Sequence, residues 1–320
     1  MSEDAIKIPK RIGWGEGGGN LPELNRVLNE LDELMSELKI PMDTPVAAKA
    51  ATGILTVEGV VIDGETIEIG DDTYEFAADD AQTVAPGNIP VDITSYTTKA
   101  EGTLTMAAQP SVGDTITIGD VTYTWVTANP GEGEIAIGVD VAEAQANFVD
   151  AVNGVDGVNP ANPYVTAGDF ISDDCILTAI IGGAVGNSIN TDETLTNESD
   201  GFDAASLGTT TAGIDCSAAN AIIALVAASA SGTEDVTITD GDGNTVNVTC
   251  NTKGVIGNAI LTSTDMENAS FGGEHLDGGV DGTISPKGGI VFDATNLYVA
   301  VDECTTSVSN WKKIAFDTLT

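Results

Sequence analysis

Gly113-Asp-Thr-Ile-Thr-Ile-Gly-Asp-Val-Thr-Tyr-Thr-Trp125 has a near copy earlier in this chain, Gly64-Glu-Thr-Ile-Glu-Ile-Gly-Asp-Asp-Thr-Tyr-Glu-Phe76. In both copies β-branched and aromatic residues alternate with polar ones around a central Gly-Asp. The alternation predicts two strands, residues 115–118 and 121–126 in the later copy, with a tight turn at Gly119-Asp120. The chain therefore contains an internal repeat built on a β-hairpin.

A second repeated motif indicates how the two copies are arranged. Gly183-Ala-Val-Gly-Asn-Ser-Ile189 matches Gly254-Val-Ile-Gly-Asn-Ala-Ile260, but these two copies are further apart in the chain than the two hairpins are. Tandem modules would keep one offset, and the chain between Phe76 and Gly102 is too short to complete a first module. Nesting accounts for both offsets. We therefore predict a discontinuous outer module, residues 46–98 plus 216–283, with a homologous module, residues 99–215, inserted into one of its loops.

Each module is predicted to be a small α+β unit in which most strands are antiparallel. In the inserted module, a helix over residues 141–153 should follow the hairpin and a short strand. Ala142, Ala146, Val149 and Asn153 form one face of this helix, with Phe148 and Val152 beside it. The outer helix, residues 217–229, is apolar on nearly every side. This pattern predicts burial on several sides, one of them covered by the inserted module or a neighbouring subunit.

The two ends of the chain are predicted to form separate units. Residues 1–45 begin with a basic arm, and an amphipathic helix follows, with Asn20 as its N-cap and an end before Pro41. The helix either packs on its own chain or forms a short coiled coil that sets the oligomeric state. Residues 284–320 predict a β-meander rich in aromatic residues. The candidate anchoring and oligomerisation residues are Lys7, Lys10 and Arg11 in the arm, and Leu24, Val27, Leu28, Leu31, Leu34, Met35 and Leu38 in the helix.

The charge of the chain restricts its partners. Eleven Lys and Arg residues stand against 50 Asp and Glu residues, which gives a net charge of −39. A field of this sign repels the phosphates of nucleic acids and of anionic lipids, so we expect neither nucleic acid nor a membrane as a partner. Attraction to a basic partner or to cations is one interpretation of the charge, and solubility is the other. We see no signal peptide and no apolar run long enough to span a membrane.

No pattern assigns a residue to catalysis, to a cofactor or to a metal, so we do not expect an enzyme. The only histidine, His275, lies in a glycine-rich loop that offers no recognisable partners for a metal or for proton transfer. Asp240-Gly-Asp-Gly-Asn244 resembles the start of a calcium loop. Thr245 and Asn251, however, stand where that loop needs Gly and Glu, which favours a hairpin turn.

The four cysteines are Cys175, Cys216, Cys250 and Cys304, and none has Cys-x-x-Cys spacing. Most of them lie in or beside apolar strand or helix patterns, which predicts free, buried thiols. A bridge between Cys216 and Cys250 within the outer module is the alternative.

Several motifs can be compared with known families. In the modules they are Gly102-Thr-Leu-Thr105, the segment 113–125, Ala144-Gln-Ala-Asn-Phe-Val-Asp-Ala-Val-Asn153 and the segment 183–189. Together they resemble a repeat found in structural proteins of tailed bacteriophages. Ile290-Val-Phe-Asp-Ala-Thr-Asn-Leu-Tyr-Val-Ala-Val301 and Trp311-Lys-Lys-Ile-Ala315 resemble a short terminal unit of phage fibre and appendage proteins. The resemblance covers about 51–320 and implies a trimeric, non-enzymatic appendage or capsid-decorating protein.

The resemblance leads us to expect a structural protein of a phage virion, assembled in the host cytoplasm. It would be a capsid decoration protein or head fibre, a homotrimer attached through residues 1–45 to the major capsid or a tail protein. One alternative is a tail fibre whose C-terminal aromatic end, within residues 288–316, binds a host surface receptor. The other is a bacterial surface adhesin, against which the missing signal peptide argues.

Overall fold

The structure, a computed structural model, describes residues 46–282, 290–292, 296–300 and 311–315. The chain divides into two compact units, and one of them is Ala48–Asp281. The C-terminal strands belong to the other unit. All anchoring residues predicted in segment 1–45, from Lys7 to Leu38, lie outside the described residues, and so does Cys304.

The unit Ala48–Asp281 consists of short strands and two helices. In chain order these are β1 (Thr52–Val57), β2 (Thr66–Ile69), β3 (Asp72–Ala77), β4 (Ile89–Asp92), β5 (Glu101–Thr105), β6 (Thr115–Ile118), β7 (Val121–Val126), β8 (Glu134–Ala136), α1 (Val141–Val152), β9 (Val165–Ala167), β10 (Asp174–Ala179), β11 (Thr191–Glu193), β12 (Gly201–Phe202), α2 (Ala218–Ala228), β13 (Val236–Asp240), β14 (Thr245–Cys250), β15 (Thr262–Thr264) and β16 (Ala269–Phe271).

The strands form four sheets, and each sheet takes its strands from only one of the two predicted modules. Two sheets, β13-β14-β1-β16 and β15-β2-β3-β4, combine strands before residue 93 with strands after residue 235. The other two, β9-β10-β5-β12 and β11-β6-β7-β8, use only residues 101–202. All pairs are antiparallel except β3–β4 and β7–β8. The predicted class, α+β with mainly antiparallel strands, is confirmed.

The two pairs of sheets also share their strand order and their register. Thr52 pairs with Thr249, and Glu101 pairs with Thr178. The first strands of these two pairs are related by the offset between the two hairpins. The second strands are related by the larger offset between the two Gly-x-x-Gly-Asn motifs. Each strand in one pair of sheets therefore has a counterpart in the other.

The hairpin lies where its sequence places it. β6 and β7 have the predicted bounds, and Gly119 in the turn has a φ of +66°, which glycine adopts without strain. Ile116, Tyr123 and Trp125 point from the hairpin into the core and are almost completely buried. Alternation along the hairpin thus places its large apolar side chains on one side.

Each pair of sheets encloses its own hydrophobic core. One core contains Tyr74 and Phe76 from the first part of the chain and Val246 and Val248 from the second. The other core lies within residues 100–207. We call residues 99–215 the middle segment. Its partly buried Ile181 packs against the first of these cores.

A buried carboxylate also connects the two distant parts of the first core. Asp72 accepts hydrogen bonds from the backbone N–H groups of Thr233 and Glu234, at 2.6 and 2.8 Å, and from the Thr233 hydroxyl. Its charge is therefore satisfied without a cation, as burial requires.

Helix α1 begins at the N-cap Asp140, whose side chain accepts from the backbone N–H of Glu143. Its buried residues are Ala144, Phe148, Ala151 and Val152, whereas Ala142 and Ala146 are exposed. The face predicted around Ala142 and Ala146 is therefore wrong, whereas Phe148 and Val152, predicted beside it, are buried. Phe148 contributes far more apolar area than an alanine, so the helix turns the Phe148 side toward the core.

Helix α2 is buried along one side. The buried residues are Ala218, Ala221, Ile222, Ala224 and Leu225. Its opposite side is open, and Ile223 is half exposed. The inserted module therefore does not cover this side, and cover by a neighbouring subunit stays a prediction.

The C-terminal strands β17 (Ile290–Phe292), β18 (Asn296–Ala300) and β19 (Trp311–Ala315) form an antiparallel sheet in the order β17-β18-β19.

Candidate functional site

The repeated Gly-x-x-Gly-Asn motif closes the fold of the middle segment. Asn187 donates from its side chain to the carbonyl of Gly213 at 3.0 Å and accepts from the N–H of Gly213 at 2.7 Å. Nearby, the Asp215 carboxylate accepts from the backbone N–H of Ala184. These bonds tie the turn at 184–188 to the strand-like segment that leaves the module.

The same arrangement recurs at the second copy of the motif. Asn258 donates to the carbonyl of Gly279 at 3.0 Å and accepts from its N–H at 2.9 Å, and Asp281 accepts from the N–H of Val255. The two copies thus keep the same donors and acceptors, although the sequences around the partner glycines, Gly213 and Gly279, differ.

Both glycines of the motif are required by the geometry. Gly183 and Gly254 have φ values of +113° and +120°, which other residues rarely adopt. Gly186 and Gly257 are buried. A Cβ at Gly186 would lie 2.8 Å from Ala100, and a Cβ at Gly257 would lie 2.8 Å from Cys250, so no side chain fits at either position.

The middle segment leaves and re-enters the rest of the unit at one narrow connection, which we call the neck. Thr98 and Ile214 exchange backbone hydrogen bonds at 2.9 and 3.0 Å. Cys216 then pairs with Val61. Lys99 and Asp80 form an ion pair across the neck at 2.9 Å. The two ends of the segment are therefore adjacent in space.

The neck lies between β4 and α2, that is, in a strand-to-helix connection. The equivalent connection of the middle segment joins β8 to α1 through residues 137–140. That loop is short, and its Val139 side chain is 85% exposed.

A groove lies beside β1 and β16, on the pair of sheets that contains both chain ends of the unit. We call it the outer groove. It has a volume of about 190 Å³ and is lined by Ile54, Phe271, Gly272, Gly273, His275 and Asp277, among others. The single histidine of the chain is therefore part of a surface depression.

The unit Ala48–Asp281 is strongly acidic. The unit contains 37 Asp and Glu residues against Lys49, Lys99 and Lys253, so its net charge is 3 − 37 = −34. Among the described residues, the Lys99–Asp80 contact is the one ion pair between side chains. Most of these carboxylates thus have no cationic partner, and they repel one another.

Three cysteines are free and buried: Cys175, Cys216 and Cys250. The prediction of buried thiols is confirmed for them, and the alternative bridge between Cys216 and Cys250 is wrong. Burial raises the pKa of Cys175 to about 12 and that of Cys216 to about 11, because a thiolate is poorly solvated inside the protein.

In the acidic segment 240–244, Asp240 ends β13 and residues 241–244 form the turn to β14, as the flanking alternation predicts. Within the described ranges, no group of three or more His, Cys, Asp or Glu side chains is placed to hold a metal ion. No helix in the described part of the chain has both the length and the apolar character needed to cross a membrane.

The sequence shows Asn187 and Asn258 as equivalent residues of a repeat, but it does not show the glycines to which they bond. We call these two hydrogen-bonded pairs, Asn187–Gly213 and Asn258–Gly279, the closures. Gly213 and Gly279 follow short segments of unequal length, so the offset of the motif does not relate them. The outer groove was also missed, because its lining residues come from β1 and from a loop near the other end of the unit.

Comparisons of the chain with known protein families, with curated proteins and with solved structures find no match.

Proposed function

We propose that this chain is a non-enzymatic structural protein of a tailed-phage virion, a capsid decoration protein or head fibre. It would carry two homologous modules, one inserted into the other, and assemble as a homotrimer. Residues 1–45, with their basic arm and amphipathic helix, would attach it to a major capsid or tail protein.

This proposal is supported by the structural role of the residues that both copies share. Tyr74 and Tyr123 lie in the two cores, and Asn187 and Asn258 close the two folds. Duplication has thus kept the residues that build the module. Such a pattern is typical of repeated architectural units, in which a residue repeats because the fold needs it.

A particle-binding experiment tests the proposal. Virions of the phage that encodes the chain are purified without the protein and then mixed with the full chain or with a variant lacking residues 1–40. We expect the full chain to sediment with the particles and the truncated one to remain in solution while keeping its thermal unfolding transition. Equal binding by the truncated chain would contradict attachment through this segment. Binding of neither chain to particles would contradict the virion role.

The tail-fibre alternative is favoured by the concentration of aromatic residues in β17–β19, as at Phe292, Tyr298 and Trp311. Labelled protein that binds host cells and not tail-less capsids would support this alternative over capsid decoration.

A further inference from the structure

The outer groove exposes aliphatic side chains where the middle segment has polar ones. Ile54 is 50% exposed, and Leu261, which pairs with His275 at the edge of the groove, is 57% exposed. The equivalent residues of the middle segment are Thr103 and Asn190, and Asn190 forms the corresponding pair with Ser206. Two aliphatic residues therefore face solvent only in the outer copy.

The middle segment covers its own equivalent of the groove. Between Leu207 and Gly213 its chain has five residues, among them Thr209, Thr210 and Thr211, whereas two residues separate Leu276 from Gly279 in the outer copy. The extra residues lie along β5. Thr210 and Thr211 donate to the carbonyl of Glu101, and the Thr210 hydroxyl bonds to that of Thr103 at 2.7 Å.

The outer copy thus lacks the covering residues and has apolar side chains in the place they would cover. Exposed aliphatic side chains grouped around a depression are typical of surfaces that another chain covers. The volume of the groove, about 190 Å³, is below the range of pockets that enclose whole small molecules, so it suits the side chains of an extended segment. The position of residues 209–211 along β5 shows where such a segment fits.

The surroundings select the chemistry of the occupant. Asp277 lines the groove, and Glu274 lies in the chain between the lining residues Gly273 and His275. Both carboxylates are exposed, in a unit whose net charge is −34. A complementary segment would combine aliphatic with basic side chains. Such a segment exists in this chain: Ala5-Ile-Lys-Ile-Pro-Lys-Arg11 places isoleucines at 6 and 8 among three basic residues.

We propose that residues 5–11 of one copy bind as an extended segment in the outer groove of a second copy. Their isoleucines cover Ile54 and Leu261, and their basic side chains lie toward Asp277 and Glu274. The proposal specifies how segment 1–45 joins copies, and it rests to that extent on the function proposed above. Its test uses the protein in solution without particles, so its failure leaves particle binding untouched.

The test uses full chains and two measurements. Sedimentation equilibrium gives the strength of self-association. The ring signal of His275, selectively ¹³C-labelled, reports on the groove and needs no assignment because the chain has one histidine. The variants are Ile8→Asp in the arm and Ile54→Asp in the groove. Ile62→Asp is the matched control, since Ile62 is similarly exposed, at 46%, but does not line the groove. Thermal unfolding checks that each variant folds.

We expect both I8D and I54D to weaken self-association at least about tenfold, because each places a carboxylate in an apolar contact, whereas I62D does not. Dilution of the wild type, or I8D, should shift the His275 signal to its unoccupied position. A synthetic peptide of residues 1–13 added to I8D should shift the signal back. A monomeric wild type, or unchanged association in either variant, would overturn the proposal. A His275 shift in I8D without a change in mass would show that the arm binds its own copy, which also overturns it.

Discussion

Excision of the middle segment tests the nested arrangement directly. Thr98 and Ile214 are hydrogen-bonded partners across the neck, and such antiparallel partners have Cα atoms about 5.5 Å apart. A two-residue turn closes a gap of this size. Replacement of residues 99–213 in the full chain by Gly-Gly should therefore leave β1–β4 and β13–β16 in place.

The cost of the excision follows from the contacts that cross the neck. The outer part loses the packing of Ile181 on its core and the hydrogen bonds that the carbonyls of Ala78 and Thr98 accept from Gly182 and Gly183. It also loses the exposed Lys99–Asp80 ion pair, which contributes little. Burying an isoleucine fully contributes about 1.5–3 kcal/mol, and Ile181 is only partly buried. Each hydrogen bond contributes about 0.5–1.5 kcal/mol net. The total, roughly 2–4 kcal/mol, is below the stability of about 5–15 kcal/mol typical of a folded domain.

Hydrogen exchange measured by mass spectrometry, together with urea unfolding, gives the answer. We expect the amides of β1 and β14 to stay protected, with a cooperative transition at lower urea concentration. The separate fragment 98–215 should fold as well, and Trp125 reports its unfolding because it is the one tryptophan in that fragment. As a control, replacement of residues 124–238, a deletion of the same length in a different register, should abolish folding. Loss of protection in β1 and β14 after the first excision would refute the nested arrangement.

Three further predictions follow from the closures, the thiols and the charge. Asn187→Ala and Asn258→Ala should each lower the free energy of unfolding by about 2–3 kcal/mol in urea titrations, since each leaves a backbone N–H and C=O unpaired. A change below about 0.5 kcal/mol would contradict the role of the closures. The raised pKa values of Cys175 and Cys216 mean that the unfolded thiols ionise first, so stability should fall as pH rises above about 9, the usual thiol value; Cys→Ser variants at these positions should flatten that decline. Raising NaCl from about 0.01 to 1 M shortens the screening length from about 30 to 3 Å, so the melting temperature should rise by several degrees, and a constant or falling value would exclude charge repulsion as a limit on stability.

Much of the fold could be predicted because the repeat carries strong local signals. The hairpin alternates along Thr115–Ile118 and Val121–Val126 with glycine at the turn, and these are the observed strands. The two unequal offsets of the repeated motifs likewise match the observed strand pairs. Glycines and aromatic residues mark these positions because few other residues fit them.

Other features depend on relations between distant residues. The spacing of the alanines predicted one face of α1. The side that packs on the core is set instead by the size of Phe148, which spacing alone does not take into account. Strand β9 has only a weak sequence signal, because it is short and follows a loop rich in Asn and Pro. The outer groove results from the shorter connection in Leu276–Gly279 than in Leu207–Gly213. That difference becomes visible in the sequence only after the register of the two copies is known.

The strand-to-helix loop at residues 137–140 has an engineering consequence. Its counterpart in the outer copy accommodates a whole folded body without disturbing the sheets on either side of it. The loop at Val139 should accept an inserted foreign domain in the same way, so that an enzyme or an epitope grafted there would be displayed on the surface of the protein.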